Sequence, residues 1–307
     1  MSLLASLAAA AQLGATAPAA ADLSEARWLA PDTDVLAFLT EAPGECLPAT
    51  LRTSAAAQVE AGRALFRSPL IFGGPAARYG LSCNACHRDG RSNPRFFFDG
   101  LSGEPGTADV TTALFSASRE DGVFNPRPIP DLVGAGAKKS LGSAGSFHDL
   151  EAFIDAAVAE EFQGDVEPSL VAALAAYLRA LDPAACTGPR SIGLATALAD
   201  FRRALDAADA ALARADHALA DALFLAALQD LQRVAERYRP LPALLSRIHA
   251  KAAELTSARR AAAQSPEAGR AALRRFRSGL ADFDAALSAA QADSLYDRDV
   301  LAASLKR

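Results

Sequence analysis

Methionine, cysteine and tryptophan are scarce in this chain. Its 307 residues include four cysteines, one tryptophan and one methionine, which is the first residue. The body of the chain therefore has no methionine thioether that could ligate a metal. Basic residues are not in excess, because 31 Lys and Arg stand against 36 Asp and Glu and give a net charge of −5. This balance offers no electrostatic basis for nucleic-acid binding, and the length favours two domains over one.

Glycine and proline nearly vanish from the last third of the chain. Residues 191–307 contain three glycines and three prolines, and the alanine-rich chain is 51% hydrophobic, which favours helix over strand. From Leu194 to Leu219 the apolar residues alternate in steps of four and three, which is a heptad pattern. We therefore predict an all-α protein, with an antiparallel helical bundle or coiled-coil hairpin in residues 190–307.

The helix boundaries in this region are partly open. Residues 194–239 contain no Gly or Pro and form either one continuous helix or two helices whose turn lacks the usual sequence signals. A further helix is predicted around residues 241–255, and another begins at Ser265-Pro266 and carries its apolar pattern to Leu287. His217 and His249 are isolated, which favours a surface or boundary position over metal ligation. We assign the charged side chains to the solvated face, namely those of Arg202, Arg203, Arg214, Arg233, Arg274 and Arg275.

The first residues resemble an export signal. Residues 1–21 carry no charged side chain and end in small residues before Asp22, although a basic residue near the start is missing. Gly14 and Pro18 interrupt the run, which argues against an anchor that spans a bilayer. We predict a signal peptide in residues 1–21 and no spanning segment in the mature chain.

The pentapeptide Cys83-Asn84-Ala85-Cys86-His87 has the C-x-x-C-H pattern that attaches a c-type haem. Two thiols three positions apart can form thioether bonds to one porphyrin, and the following histidine can ligate the iron axially. We predict one covalent haem c, attached by Cys83 and Cys86, with His87 as an axial ligand. Because c-type haem is attached outside the bacterial inner membrane, this prediction agrees with export to the periplasm.

Two other interpretations of the cysteine pair stay open. A zinc site would need Cys46 and Cys186 as its second pair, but these are isolated rather than closely spaced. A thioredoxin-like dithiol would need a βαβ setting that the sequence does not suggest. In an oxidising compartment Cys46 and Cys186 could instead pair as a disulfide that joins the two ends of the haem domain. Two unpaired thiols are the alternative.

Around the motif the sequence predicts a haem domain in residues 55–186, after a leader in residues 22–54. Helices are predicted at 54–66, at 149–162 and from Pro168 to Asp182, and Gly62 permits the last to pack closely on the first. Residues 73–131 lack periodicity, which in so long a segment indicates a loop that wraps a ligand. Phe96, Phe97 and Phe98 would then line the porphyrin or be ordinary core aromatics. Likewise, three arginines either meet the haem propionates or face solvent: Arg88, Arg91 and Arg95.

Residues 55–183 resemble a single haem domain of the di-haem cytochrome c peroxidase and methylamine-utilisation oxidase superfamily. The stretches that carry this resemblance are Gly62 to Pro69, Ser82 to His87, Phe98-Asp99-Gly100, Pro105-Gly106-Thr107, Pro128 to Leu132, and Phe147-His148-Asp149-Leu150-Glu151. The resemblance implies a cytochrome c-like fold and, in the enzyme members, peroxidase activity. This chain departs from the pattern in having one haem motif instead of two, no downstream methionine ligand, and no glycine after His148-Asp149.

The sixth iron ligand is open. His148 lies in the same predicted domain, in a polar turn before a helix, and is one candidate. A water-bound or vacant position and ligation by another residue, such as a lysine or tyrosine, are the others. If peroxide binds, Glu120 or Asp121 could act as the acid–base group and Arg119 could stabilise charge. A solvated turn ending at Gly122 is the alternative for these three residues.

These observations leave two main functional classes. In the first, the protein is a periplasmic electron carrier or haem module, whose helices dock a redox partner protein or a second copy of the chain. In the second, it is a peroxidase-like enzyme with an exchangeable sixth position. The missing methionine weakens a simple carrier, and the single haem weakens the peroxidase, which would need an electron from elsewhere. We favour the first class, and a haem-dependent sensor is a more distant third.

Overall fold

The computed structural model describes residues 23–49, 57–71, 73–142 and 145–306, without the side chain of Ala76. It is mostly helical, with 58% helix and 4% strand, which confirms the all-α class. The predicted signal peptide, residues 1–21, lies outside the described residues, as do residues 50–56 at the predicted junction of leader and haem domain.

Twelve α-helices lie in the described part of the chain. They are α1 (Val35–Thr40), α2 (Ala57–Phe66), α3 (Gly74–Tyr79), α4 (Cys83–Cys86), α5 (Leu150–Glu161), α6 (Pro168–Ala180), α7 (Leu194–Ala213), α8 (His217–Arg237), α9 (Pro242–Ala262), α10 (Pro266–Ser278), α11 (Leu280–Ala289) and α12 (Arg298–Leu305). Short 3₁₀ turns occupy Ser24–Ala26, Arg88–Gly90, Ala135–Ala137, Pro183–Ala185 and Gln291–Asp293. Four two-residue strands form two antiparallel pairs: β1 (Glu41–Ala42) with β4 (Arg190–Ser191), and β2 (Thr107–Ala108) with β3 (Arg127–Pro128).

Helices α2 and α6 pack closely against each other, as the sequence predicts. Their closest approach is at Gly62, where an added Cβ would lie 1.9 Å from the carbonyl oxygen of Ala173 and 2.8 Å from the Cβ of Tyr177. Only a residue without a side chain fits there. Val59 and Leu65 of α2 are buried in this contact region. The pair forms the centre of the predicted haem domain.

The segment 194–239 is two helices rather than one. Helix α7 ends at Ala213, Ala215 takes a left-handed conformation with φ of 57°, and Asp216 caps α8 by accepting a hydrogen bond from the backbone N–H of Leu219. The three-residue turn reverses the chain, so α7 and α8 lie side by side along much of their length. A left-handed alanine is unusual, which explains why the composition gives no turn signal here.

The remaining helices complete the apolar packing around α7 and α8. Helix α9 contacts α8, and α10 contacts both α9 and α7. Ser265 caps α10 by accepting from the N–H of Ala268, which confirms the predicted start. The pattern that runs on to Leu287 is shared by two helices, because α10 ends at Ser278 and α11 begins after Gly279. Leu273, Phe276, Leu280, Phe283 and Leu287 are nevertheless all buried.

The hydrophobic core is continuous between the two predicted domains. Helix α2 packs not only on α6 but also on α7 and α8. Buried residues on both sides of residue 190 belong to one cluster, in which Leu178 and Leu181 join Leu194 and Leu198. The predicted boundary near residue 190 thus marks a change in composition, and the residues on its two sides share one hydrophobic core.

Two arginines, Arg63 of α2 and Arg67 directly after it, connect the packed parts through ion pairs. Arg67 lies between Asp89, at 2.5 Å, and Glu45, at 3.1 Å. Arg63 contacts Glu45 at 2.8 Å and Asp200 of α7 at 2.6 Å. This ion-pair network joins the leader, α2, the segment after the haem motif and the C-terminal helices.

The network corrects the prediction of a solvated position for two of the six arginines, Arg203 and Arg233. The other four are exposed, as predicted: Arg202, Arg214, Arg274 and Arg275. Arg203 lies beside Asp200 and Glu60, and Arg233 donates to Asp230 and to the carbonyl of Arg67. Both are partly covered, because α7 and α8 turn these faces toward α2. The heptad pattern marks one buried face of each helix, whereas these helices have two.

The ion-pair network predicts acid sensitivity. Burial alone would raise the pKa of Glu45, Asp89 and Asp200, but the neighbouring arginines hold each pKa below its ordinary value. A carboxyl whose folded pKa is depressed stabilises the fold above its unfolded pKa, about 4, and loses this contribution as pH falls further. Burial raises the pKa of Glu60 and Asp230, so these two carboxyl groups lower the free energy of unfolding as pH rises through their unfolded and folded pKa values.

We therefore expect the free energy of unfolding to fall steeply as pH drops below about 4. Urea unfolding at a series of pH values measures this slope. Asp200→Asn should flatten the slope, and Asp299→Asn, outside the network, should leave it unchanged. A slope that is the same in wild type and Asp200→Asn would contradict the role of the network.

Cys46 and Cys186 form a disulfide across 140 residues of sequence. Of the two alternatives for these cysteines, the structure thus shows the pair rather than free thiols. The bond lies close to the β1–β4 pairing, so it fixes the end of the leader beside the segment that leads into α7. Arg91 lies next to both sulfur atoms, with Nη1 3.7 Å from the Cys46 Sγ.

We expect Cys46→Ala/Cys186→Ala to lower the free energy of unfolding by about 2–4 kcal/mol, because a long loop is no longer closed in the unfolded chain. Urea unfolding with and without reductant measures the loss. Reductant should destabilise wild type and leave the double variant unaffected. Equal stability of wild type and variant under oxidising conditions would contradict a formed bond.

None of the helices in the described ranges is long and apolar enough to cross a membrane.

Candidate haem site

The C-x-x-C-H segment forms one tight helical turn, α4, followed by a bend. The N–H of His87 donates to the carbonyl of Cys83 over 2.8 Å, which closes the turn. Asn93 stabilises this turn through two hydrogen bonds. Its Nδ2 donates to the carbonyl of Ala85 over 2.8 Å, and its backbone N–H donates to the carbonyl of Cys86 over 2.9 Å. Cys83 and Cys86 are three residues apart on a helical turn and therefore share a face.

The imidazole of His87 is fixed in one tautomer. Its Nδ1 lies 2.9 Å from the carbonyl oxygen of Pro130. A carbonyl only accepts, so Nδ1 carries the proton and donates. Burial lowers the pKa of His87 to about 4, so the ring is neutral at neutral pH. The Nε2 lone pair is consequently free to ligate a metal, with the partner of the other ring nitrogen setting its orientation.

Cys83 and Cys86 are free thiols. Burial raises the pKa of Cys83 to about 12 and also raises that of Cys86, with the charge of Glu161 adding to both shifts. Such surroundings disfavour the thiolate form that a reactive dithiol requires. They suit neutral sulfur, as in a thioether.

The disulfide between Cys46 and Cys186 removes the two thiols that a zinc site with Cys83 and Cys86 would need. Within the described residues, no three His, Cys, Asp or Glu side chains gather as a metal-binding group. A c-type haem needs only two thiols and one imidazole from this turn. The residues present fit covalent haem c.

His148 is exposed and its Nδ1 lies 2.9 Å from the carbonyl oxygen of Lys139. By the same argument as for His87, this contact leaves Nε2 unprotonated in the neutral ring. No contact between His148 and His87 is present among the described residues. His148 therefore has a suitable tautomer for ligation, and its place as the sixth ligand stays a prediction.

The segment proposed for peroxide chemistry divides into two parts. Glu120 and Asp121 form the solvated turn that was the alternative, since their carboxylates accept from the N–H groups of Gly122 and Val123 over 2.8 and 2.9 Å. Arg119 instead reaches α5, where its Nε lies 2.6 Å from Glu160 and its Nη2 lies 3.4 Å from Glu161.

Among the described residues, Glu161 is the acidic side chain whose charge raises the pKa of both Cys83 and Cys86. Burial raises the pKa of Glu161 itself. The sequence analysis did not select it, because it is the last residue of an ordinary amphipathic helix, 75 residues from Cys86. Only the three-dimensional structure, in which the end of α5 comes near the two thiols, could reveal it.

Two of the three consecutive phenylalanines are core aromatics. Phe96 is fully buried and forms an isolated β-bridge with Leu29. Phe98 packs on Trp28, with ring centroids 4.4 Å apart, and meets the edge of Tyr79. Their surfaces are covered by protein atoms, so they are not porphyrin walls. Phe97 is only partly buried.

The three arginines near the motif have different environments. Arg88 donates to the carbonyls of Phe38 and Glu41 over 2.7 and 2.8 Å. Arg91 pairs with Asp131 at 2.7 Å, directly after Pro130. Arg95 is exposed. Arg88 is thus turned toward the leader, and Arg91 supports the segment that orients His87. His217 and His249 are exposed, as predicted.

Comparison of the chain with models of protein families, with curated protein sequences and with solved structures gave no match.

Proposed function

We propose that this chain is a monohaem c-type cytochrome that binds haem covalently and transfers electrons in the periplasm. The observation that carries the proposal is the hydrogen bond from His87 Nδ1 to the carbonyl of Pro130, beside two free thiols on one helical turn. Together these features supply two attachment atoms and one oriented, neutral ligand.

The proposal extends to the architecture. Residues 55–186 are a cytochrome c-like domain, in agreement with the close packing of α2 on α6 and with the long irregular segment after the motif. Residues 190–307 are a helical bundle that serves docking to a redox partner protein or assembly with a second copy of the chain. The Cys46–Cys186 disulfide agrees with an oxidising compartment such as the periplasm.

A bound haem c supplies a one-electron iron couple. The chain's own residues then hold and tune it. Pro130 orients His87, and the Arg91–Asp131 pair steadies that segment. Asn93 donates a hydrogen bond to the carbonyl of Ala85 in the attachment turn. The ion pair between Asp89 and Arg67, which directly follows α2, fixes the segment after the motif. A rigid ligand environment keeps the structural change on electron transfer small.

A peroxidase-like enzyme is the second candidate, and one observation favours it. The charge of Glu161 raises the pKa of both motif thiols, and Arg119 lies 3.4 Å from Glu161, so a carboxyl and a guanidinium lie near the attachment atoms. A group of this kind could relay a proton and stabilise charge. A chain with one haem motif would then take further electrons from another protein.

We expect the ferrous protein to have a six-coordinate, low-spin spectrum that carbon monoxide does not change. This result supports electron transfer, because no position on the iron is open to small ligands. Absorption spectra of the exported protein, ferric and ferrous, with and without carbon monoxide and peroxide, make the measurement. A high-spin ferric form that reacts with peroxide, and a ferrous form that binds carbon monoxide, would favour the enzyme instead.

The variant His148→Ala tests the sixth ligand. If carbon monoxide binds to His148→Ala but not to wild type or to the control His217→Ala, the sixth position belongs to His148. An unchanged spectrum assigns the position to another side chain, such as a lysine or tyrosine.

A further inference from the structure

A cavity of about 370 Å³ lies beside the haem-attachment turn. It is enclosed by the leader around residues 24–29, by the turn itself, and by helices α7 and α8. Asn84 and Ala85 line it, whereas Cys83, Cys86 and His87 are not among the lining residues. The cavity therefore adjoins the candidate haem site, but the three residues that would hold the haem do not line it. Its volume falls in the range of small-molecule sites.

The walls of this cavity are unusually rich in charge. Five arginines and five acidic side chains line it. Four of the five acids are already paired: Asp89 with Arg67 and Arg190, Asp230 with Arg233, Asp200 with Arg63, and Glu25 with Arg237. Such walls suit a polar ligand that can both accept and donate hydrogen bonds.

Two of the lining cations have no carboxylate within salt-bridge distance among the described residues: Arg27 and Arg88. Arg88 uses Nη2 for the carbonyls of Phe38 and Glu41. Arg27 donates from Nη1 to the carbonyl of Tyr79 over 3.2 Å. A guanidinium has five N–H donors in a planar fork that matches a carboxylate. Both arginines thus keep donors for an anionic group.

The opposite wall presents acceptors. The Oε1 atom of Gln229 on α8 is buried and has no hydrogen-bond partner. Glu236, two turns further along α8, accepts from the N–H and hydroxyl of Ser24 over 3.0 and 2.8 Å and has no cationic partner in the described chain. An unpaired buried acceptor is costly. A ligand hydroxyl would satisfy it.

We propose that this cavity binds a sugar acid, that is, a small polyhydroxylated molecule with one carboxylate. The carboxylate pairs with the remaining N–H donors of Arg88 or Arg27, and the hydroxyls donate to Gln229 and to the lining carboxylates. Inorganic phosphate fits less well, because it brings more negative charge to five acidic side chains and offers only one or two hydroxyl donors. A ligand that contacts both Arg88 and Gln229 would bridge the segment after the haem-attachment turn and α8.

Titration calorimetry of the full-length, haem-loaded protein with gluconate tests this proposal. We expect saturable binding of one gluconate per chain, at least tenfold weaker binding of glucose, which lacks the carboxylate, and weaker binding of inorganic phosphate. Arg88→Gln should weaken gluconate binding at least tenfold. Because Arg88 also holds the leader, Arg27→Gln and Gln229→Leu provide variants outside those contacts, and each should weaken binding several-fold.

The control is Arg277→Gln. Arg277 lies on α10, pairs with Asp206 and does not line the cavity, so this variant should bind gluconate as wild type does. No saturable gluconate binding, equal binding of glucose, tighter binding of phosphate, or unchanged affinity in the Arg27, Arg88 and Gln229 variants would each overturn the proposal. None of these outcomes depends on the redox chemistry of the haem.

Discussion

The double variant Cys83→Ser/Cys86→Ser should contain no covalently attached haem. Serine hydroxyls do not form thioether bonds to a porphyrin, and Cys46 and Cys186 are committed to each other, so no other thiol in the chain can replace the pair. Haem staining of the exported protein after denaturing electrophoresis measures attachment. We expect a strong band for wild type and none for the double variant.

The single variants are the matched controls for this experiment. Cys83→Ser and Cys86→Ser each keep one thiol on the attachment turn, so each should retain haem through one bond at reduced yield. Persistent staining in the double variant, at the wild-type level, would contradict attachment at this turn. Protein staining of the same sample measures the amount of polypeptide, so a loss of haem is distinguished from a loss of protein.

Arg67→Ala should be the most destabilising single substitution in the ion-pair network. Removal of this guanidinium leaves Glu45 and Asp89 buried with one fewer cation each. Breaking a buried ion pair from one side costs about 3–5 kcal/mol, because the remaining charge is not solvated. Urea unfolding followed by circular dichroism measures the change in the free energy of unfolding.

Arg277→Ala is the control for this substitution, because it removes an exposed partner of Asp206. Exposed ion pairs contribute about 0–1 kcal/mol, so this variant should unfold almost as wild type does. Similar losses for the two variants would contradict the view that α2 anchors the haem segment and the C-terminal helices through buried charge.

The candidate haem site could be located from sequence because its residues are local. Cys83, Cys86 and His87 lie within one pentapeptide, and the prediction gives each a separate role in holding a porphyrin. The proline-rich run after residue 125 gave no hint that the Pro130 carbonyl would orient His87, since that contact joins residues 43 positions apart. Glu161 was missed for the same reason.

The helices were predictable where periodicity and capping agreed, as at Ser265 and around Gly62. The turn at Ala215 was not, because a left-handed alanine has no compositional mark. The phenylalanine run illustrates a different limit. Periodicity cannot tell whether an aromatic side chain is covered by protein, as Phe96 is, or by a cofactor. The placement of Arg203 and Arg233 depended on α2 packing against a second face of the C-terminal helices.

The central claim is that one haem is bound covalently to this chain and ligated by His87. Its most direct test is the absorption spectrum and iron content of the purified, exported protein after unfolding and extraction with acidified organic solvent. We predict one iron per chain and haem bands that remain with the polypeptide after extraction. Haem that leaves with the solvent, or a protein that holds zinc and no haem bands, would contradict the claim.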